Sequence, residues 1–183
     1  MIRCAGGKAM LENSESLNNQ AIKLASNGDY TEAIACFMRA INIEKENYLL
    51  WFNLALTYRD AGDIKDARKA IQNAFYMNPT DEEVIETLAT ICYESSDIVA
   101  AFEYAMMGLN LNGDNYRLWN TLGVLYFNQE DYETASESFE NALVVNPYYY
   151  DALYNLRDCY EELGNIAGVK VCSERMKGLS KRG

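Results

Sequence analysis

The chain has 183 residues, of which 49% are hydrophobic, and its formal net charge is −11. This composition is typical of a folded protein with a substantial core and excludes a disordered chain. The acidic balance argues against nucleic acid and membrane insertion, because negative surfaces repel phosphate backbones and anionic headgroups.

The residue types that most often hold metals are scarce. Histidine is absent, and the five cysteines lie far apart without a Cys-x-x-Cys pair. We therefore expect no metal, no cofactor and no disulfide framework, and the lack of histidine also argues against an enzyme. No apolar run is long enough for a signal sequence or a membrane span, so we expect a cytoplasmic protein.

An acidic or amide residue recurs every 34 residues along the chain. The five positions are Asp29, Asp63, Asp97, Asp131 and Asn165, and an apolar residue follows each of them. Such a side chain accepts hydrogen bonds from the unpaired amides at the start of a helix, so each position predicts an N-cap. A glycine precedes three of the five, which is typical of the end of a preceding helix. Each cap therefore marks a tight turn between two helices.

The period divides the chain into an N-terminal extension and five units. The extension is residues 1–13, and the units are residues 14–47, 48–81, 82–115, 116–149 and 150–183. We expect two helices in each unit and no strands. The alternative, an ordinary helical bundle, predicts no constant spacing of caps.

Small side chains recur at two places on the second helix of each unit. Position 20 holds Ala33, Ala67, Ala101, Ala135 and Val169, and position 27 holds Ala40, Ala74, Gly108, Ala142 and Met176. Small residues at fixed places let neighbouring helices approach closely, as a stacked array requires.

The fourth unit carries a distinctive set of residues: Trp119, Leu122, Gly123, Tyr126, Ala135, Phe139 and Pro147. This pattern resembles the tetratricopeptide repeat, and the second unit keeps most of it. The fifth unit departs from it at Arg157, Ser173 and Met176. The resemblance implies an all-α, right-handed superhelical solenoid of five antiparallel helix pairs. It also implies that the first helices line a concave groove, which binds an extended or helical segment of a partner protein.

One face of each first helix is not explained by packing within the pair. Positions 4, 7, 8 and 11 form the core side, and positions 2, 5, 9, 12 and 13 fall opposite. With the asparagines of position 6 added, the candidate protein-binding or peptide-binding residues are Leu49, Phe52, Asn53, Leu56, Arg59, Glu83, Glu86, Thr90, Tyr93, Glu94, Arg117, Asn120, Val124, Phe127, Asp151, Tyr154, Asn155 and Asp158. The alternatives are that some of these side chains pack on the adjacent unit and that the asparagines face solvent.

Charge predicts the kind of ligand. The third and fourth units hold twelve acidic residues and one basic residue, and apolar groove positions in the second and fourth units alternate with carboxylates in the third and fifth. We therefore expect a ligand with hydrophobic anchors flanked by Lys or Arg. The clamp that holds acidic chaperone tails in some members of the family is missing, because position 5 carries no lysine.

We interpret the chain as a non-enzymatic scaffold or adaptor. One alternative is a self-assembling structural module, a homo-oligomer in which the basic C-terminal helix of one copy meets the acidic central repeats of another. A third alternative is an enzyme built on carboxylates such as Asp158, Glu161 and Glu162, but no nucleophile, phosphate loop or metal set accompanies them.

Overall fold

Ten α-helices and no strand occur in the part of the chain that the computed structural model describes, residues 13–180. They are α1 (Ser14–Ser26), α2 (Tyr30–Ile43), α3 (Tyr48–Asp60), α4 (Ile64–Met77), α5 (Glu82–Glu94), α6 (Ile98–Leu111), α7 (Tyr116–Phe127), α8 (Tyr132–Val145), α9 (Tyr150–Glu162) and α10 (Ile166–Ser180). The predicted all-α fold of successive helix pairs is confirmed. The predicted extension lies outside the described residues, apart from Asn13.

A left-handed backbone residue ends the first helix of every pair. Gly28, Gly62 and Gly164 have φ angles of 85°, 82° and 69°, and Ser96 and Glu130 occupy the same place with φ angles of 61°. The sequence indicated only the glycines, because a side chain rarely adopts this conformation. The turn therefore recurs every 34 residues even where the glycine does not.

The predicted capping hydrogen bonds are confirmed at four of the five turns. The carboxylates of Asp63, Asp97 and Asp131 accept backbone N–H groups of the following helix at 3.1, 3.2 and 3.2 Å. Asn165 accepts one at 3.0 Å in the same way. Asp29 also occupies the N-cap position of α2, as predicted, but its side chain accepts no capping bond, so only the expected hydrogen bond is missing there. The common turn geometry does not depend on every one of these side-chain bonds.

The chain divides into two compact units, residues 1–77 and 78–183. In the first, α3 packs against α1, α2 and α4, and α1 also packs against α2. The small residues predicted at these contacts are fully buried: Ala33, Ala40, Ala67 and Ala74. Their lack of bulk allows the four helices of this unit to pack closely.

The second unit contains α5 to α10, and each helix packs on the next. A Cβ added to Gly108 would lie 2.3 Å from Leu118 Cδ1 of the following pair, and one added to Gly123 would lie 2.4 Å from Phe139 Cε1. At Gly123 three atoms of the buried Phe139 ring stand in the way, so this packing requires glycine there, whereas at Gly108 the end of the Leu118 side chain would have to shift. In addition, the first helices of successive pairs, α5, α7 and α9, lie side by side.

Two positions that the sequence did not assign to the core are buried on α7. Leu118 and Leu125 are fully buried, whereas Trp119 and Tyr126 are only partly so. The indole Nε1 of Trp119 donates a hydrogen bond of 2.7 Å to a backbone carbonyl near the surface. Leu118 packs on the preceding helix pair, so stacking between repeats decides its burial.

Candidate functional site

The predicted site residues fall into two sets because the chain forms two units. Those of α5, α7 and α9 share the second unit, in which these three first helices are neighbours. Those of α3 belong to the first unit. The surface formed by the predicted residues of α5, α7 and α9 is called the first-helix face below.

A small cavity opens on the first-helix face between α7 and α9. Its volume is about 80 Å³, and four predicted residues line it: Val124, Phe127, Asn155 and Asp158. The fully buried ring of Phe139, from α8, supplies the fifth lining side chain. The structure therefore brings an apolar base together with one amide and one carboxylate. This group of five side chains is called the socket below.

Arg157 alters the charge at the rim of the socket. Its Nη2 and Nε atoms lie 2.7 and 3.1 Å from Asp158 Oδ1, and its guanidinium stacks 4.4 Å from the centre of the Tyr154 ring. Its Nε also lies 3.7 Å from Glu161 Oε1. The hydrogen bond to Asp158 raises the pKa of the Arg157 guanidinium. Asp158 is therefore already paired with a cation of its own helix.

The position-6 asparagines link adjacent first helices. Asn155 Nδ2 donates to Asn120 Oδ1 at 3.0 Å, and Asn53 Nδ2 donates to Asn18 Oδ1 at 3.1 Å. Both bonds join residues 35 apart, from position 5 of one repeat to position 6 of the next. Each amide has hydrogen-bonding capacity left over, because an asparagine side chain offers two N–H donors and an acceptor.

Glu86 and Arg117 face each other across α5 and α7. Arg117 Nη1 lies 3.5 Å from Glu86 Oε1, and Asn115 Nδ2 donates to Glu86 Oε2 at 3.3 Å. Burial raises the pKa of the Glu86 carboxyl, although the Asn115 hydrogen bond and the Arg117 charge both act to lower it. A ligand would have to compete with these partners for Glu86.

The other predicted residues of the first-helix face differ in their availability. Thr90 donates its hydroxyl to the backbone carbonyl of Glu86 at 3.0 Å, and the Tyr93 hydroxyl accepts the Asn128 amide at 2.9 Å. In contrast, four side chains are exposed: Glu83, Glu94, Asp151 and Tyr154. The exposed carboxylates therefore lie outside the socket rather than in it.

The predicted residues of the first unit lie on α3. Leu49 is exposed and helps to line a polar cavity of about 320 Å³ between α1 and α3. Phe52 and Leu56 are half-buried, and Arg59 Nη2 lies 3.4 Å from Asp60 Oδ1.

Family models match the chain in two places. One model of the tetratricopeptide repeat covers residues 24–91, and another covers residues 116–149. The chain belongs to the tetratricopeptide repeat family. The second of these matches coincides with the fourth unit, in which the sequence pattern is most complete.

Curated relatives are longer than this chain. It is 22% identical over 151 residues to the BBSome complex member bbs-4 of Caenorhabditis elegans, a match that covers 80% of this chain and 33% of the relative. It is 27% identical over 172 residues to the TPR repeat-containing protein MJ1428 of Methanocaldococcus jannaschii, covering 85% of this chain and 30% of the relative. The chain thus spans about a third of the length of these relatives.

A solved structure supports the tetratricopeptide repeat fold. The crystal structure of MamA protein superposes with a TM-score of 0.80 at 20% sequence identity, over 92% of this chain and 94% of that chain. At this level of identity the likeness concerns the fold. Within residues 13–180 of the present chain, no helix is long and apolar enough to cross a membrane, and no three His, Cys, Asp or Glu side chains are placed to hold a metal ion.

Two residues of this tetratricopeptide face were missed by sequence reasoning. Arg157 was noted only as a departure from the family pattern, and Asn115 was not assigned to the face. Asn115 carried a signal, since an asparagine before a helix predicts a cap, and its Oδ1 does accept two backbone N–H groups of α7. The hydrogen bond that Asn115 Nδ2 donates to Glu86 on α5 depends on the distance between helices, and nothing in the sequence indicates it.

Proposed function

We propose that this tetratricopeptide repeat chain is a non-enzymatic scaffold that binds a peptide or helical segment of a partner protein on the first-helix face. The socket between α7 and α9 carries the proposal, because it combines Val124 and Phe127 with a polar rim. General protein binding is the activity expected of the family, and the position of the ligand is what we add.

The size of the socket restricts the side chain that enters it. A cavity of roughly 15 Å³ is needed to hold one water, and one of about 150 Å³ accepts a benzene ring. At about 80 Å³ the socket lies between these limits. It therefore suits an aliphatic side chain such as valine, leucine or isoleucine better than an aromatic one.

The charges on the face restrict the residues beside that anchor. Asp158 is paired with Arg157, and Glu86 is paired with Arg117. The exposed carboxylates Glu83 and Glu94 are therefore the ones available to attract lysine or arginine, whereas Asp151 accepts a side-chain hydrogen bond from Tyr149. Exposed charges contribute mainly to the rate and selectivity of encounter, whereas the buried anchor contributes most of the affinity.

The same pairing supports a non-enzymatic function. Asp158 is held by a guanidinium, Thr90 donates to a backbone carbonyl, and Tyr93 accepts an amide. Catalytic acids, bases and nucleophiles instead need positioned partners that activate them. These polar groups of the face already have partners, either within their own helix or in the neighbouring repeat.

The experiment is to fill the socket. Peptides of about 12 residues selected from a displayed random library would be measured against Val124→Met, with Val99→Met as the matched control. Val99 is 70% exposed on α6, so the same substitution there does not touch the socket. We expect Val124→Met to weaken binding by about tenfold and the control to leave it unchanged. Equal affinities for both variants, with folding intact, would remove the ligand from the socket.

Self-assembly is a second candidate, and the distribution of charge favours it. Lys170 and Lys177 are exposed on α10, whereas Glu133 and Glu137 are exposed on α8. If α10 of one copy contacts α8 of another, the average molecular mass measured by sedimentation should rise with protein concentration and fall with added salt. A constant mass across both series would contradict it.

A further inference from the structure

A cleft runs between the second helices of the last two repeats, α8 and α10, with α9 beneath it. Its volume is about 430 Å³, and Arg175 connects it to a second cavity of about 250 Å³ near Pro147 and Leu179. None of the predicted ligand residues lines either cavity. The cleft is therefore separate from the first-helix face.

The floor of the cleft is apolar and its walls carry exposed valines. Leu143, Leu156 and Cys172 are buried beneath it, with exposures of 6%, 3% and 2%. Val144 on α8 and Val171 on α10 are 78% and 53% exposed on its two sides. An exposed aliphatic pair beside a buried apolar floor is typical of a surface that another segment covers.

Carboxylates are concentrated on the α8 wall. Glu133, Glu137 and Glu140 precede Val144 at intervals of four, three and four residues, so all four lie on one stripe of the helix. All three glutamates are exposed, and Glu140 also accepts the Tyr160 hydroxyl at 2.6 Å.

The opposite wall has a weaker charge of the other sign. Among the residues that line the cleft, α10 contributes one cation, Arg175, and its Nη2 donates to the carbonyl oxygen of Pro147 at 2.7 Å. The α8 stripe therefore presents three carboxylates, of which Glu140 lines the cleft opposite the guanidinium of Arg175.

We propose that this cleft docks a cationic amphipathic helix of a partner protein. The leucine-type side chains of such a helix would cover Val144 and Val171, and its lysines or arginines would lie along the α8 stripe. A helix fits because the two walls are themselves helices, and the lining residues of α10, from Gly168 to Arg175, give the cleft a length of roughly 10 Å, or about two helical turns. This proposal does not depend on ligand binding at the first-helix face.

The probe is a displayed library of helical peptides of about 14 residues that keep a leucine stripe and one lysine flank and vary elsewhere. Selected peptides would be measured against Val144→Glu and Val171→Glu. We expect each substitution to reduce affinity by about tenfold or more, because it places a charge on the apolar contact. Both valines are exposed, so circular dichroism should show an intact fold.

Val99→Glu is the matched control. Val99 is 70% exposed on α6, and the substitution introduces the same charge in the same unit. Affinity should be unchanged in this variant. The proposal is overturned if the library yields no binder, or if the selected peptides bind the Val144 and Val171 variants as well as they bind the original chain.

Charge is tested by a second pair of variants with equal net charge. Removing two carboxylates from the stripe, by Glu133→Gln with Glu137→Gln, should weaken binding and reduce its dependence on salt. The variant with Glu83→Gln and Glu94→Gln on α5 loses the same two charges, and it should bind the selected peptides with a smaller loss of affinity. A larger loss in the α5 variant would place the peptides on the first-helix face and overturn docking in the cleft.

Discussion

Asn155 of α9 donates its side-chain amide to the carbonyl oxygen of Asn120 on α7, at 3.0 Å. The bond joins two repeats directly, and it stands at the edge of the socket because Asn155 also lines that cavity. Stacking between repeats and the proposed ligand site therefore share a residue. The amide is held in place by the neighbouring repeat, and its orientation at the socket depends on that contact.

We expect Asn120→Ala and Asn155→Ala each to lower the free energy of unfolding by about 1 kcal/mol, the usual contribution of one such hydrogen bond. The double variant should cost less than the sum of the two, because both singles remove the same bond. Urea unfolding of the four proteins measures this difference. Asn19→Ala is the control, since Asn19 is an exposed position-6 residue of the first repeat. Strict additivity would show that the bond does not stabilise the chain.

Gly123→Ala should lower the free energy of unfolding by about 1 to 3 kcal/mol, because the new methyl group meets the Phe139 ring in a packed core. Gly178→Ala is the matched control, since no atom lies within 4 Å of a Cβ there. It should be neutral or stabilise α10 by up to about 1 kcal/mol, as alanine is the better helix former. Thermal or urea unfolding checks both. Similar changes at the two sites would contradict the packing described for α7 and α8.

Glu130→Gly should stabilise the chain by about 1 kcal/mol. Glu130 has a φ of 61°, a conformation that costs a non-glycine residue about 1 to 2 kcal/mol. Glycine removes this cost, but its greater conformational freedom in the unfolded chain cancels part of the stabilisation. Gly62→Ala, with a φ of 82° at the equivalent turn, should destabilise for the opposite reason. Unfolding curves that move in the same direction for both variants would refute this account of the turns.

Glu86 should make stability fall as pH rises from below 4.5 towards neutrality. Burial raises its pKa in the folded chain above the ordinary value of 4.5, so the folded state binds more protons than the unfolded state within that window. Glu86→Gln keeps the side chain neutral at every pH. The free energy of unfolding of the variant should therefore rise relative to that of the original chain as pH increases. Urea unfolding across the acid range measures that difference. A difference that stays constant with pH would show that the carboxyl titrates normally.

Charge reversal on the first-helix face should change how fast a ligand arrives. Glu83→Lys with Glu94→Lys should slow the association of a socket-binding peptide and flatten its salt dependence, because steering is long-ranged and screened. Dissociation should change little, since both side chains are exposed. Glu103→Lys with Asp114→Lys, also exposed in the second unit, is the control and should have a smaller effect. Unchanged association rates in the first variant would rule out steering by α5.

Features that depend on neighbours in the chain could be predicted from the sequence. The turns at Gly28, Gly62 and Gly164 and the caps at Asp63, Asp97 and Asp131 involve residues within one turn of each other, so their chemistry is local. The period then placed two helices in every unit. The small residues at positions 20 and 27 were predicted for the same reason, because a constant spacing reveals a recurring contact.

Features that depend on the distance between helices required the tertiary structure. Arg157 pairs with Asp158 at the socket, Asn115 reaches Glu86 on another helix, and Leu118 is buried against the preceding repeat. In each case several rotamers or neighbours are compatible with the sequence, and packing selects among them. The sequence by itself determined the repeat, its helices and the side of each first helix that packing within the pair does not explain. The socket, the amide bridges and the charges already paired within that face were decided by how the helices lie against one another.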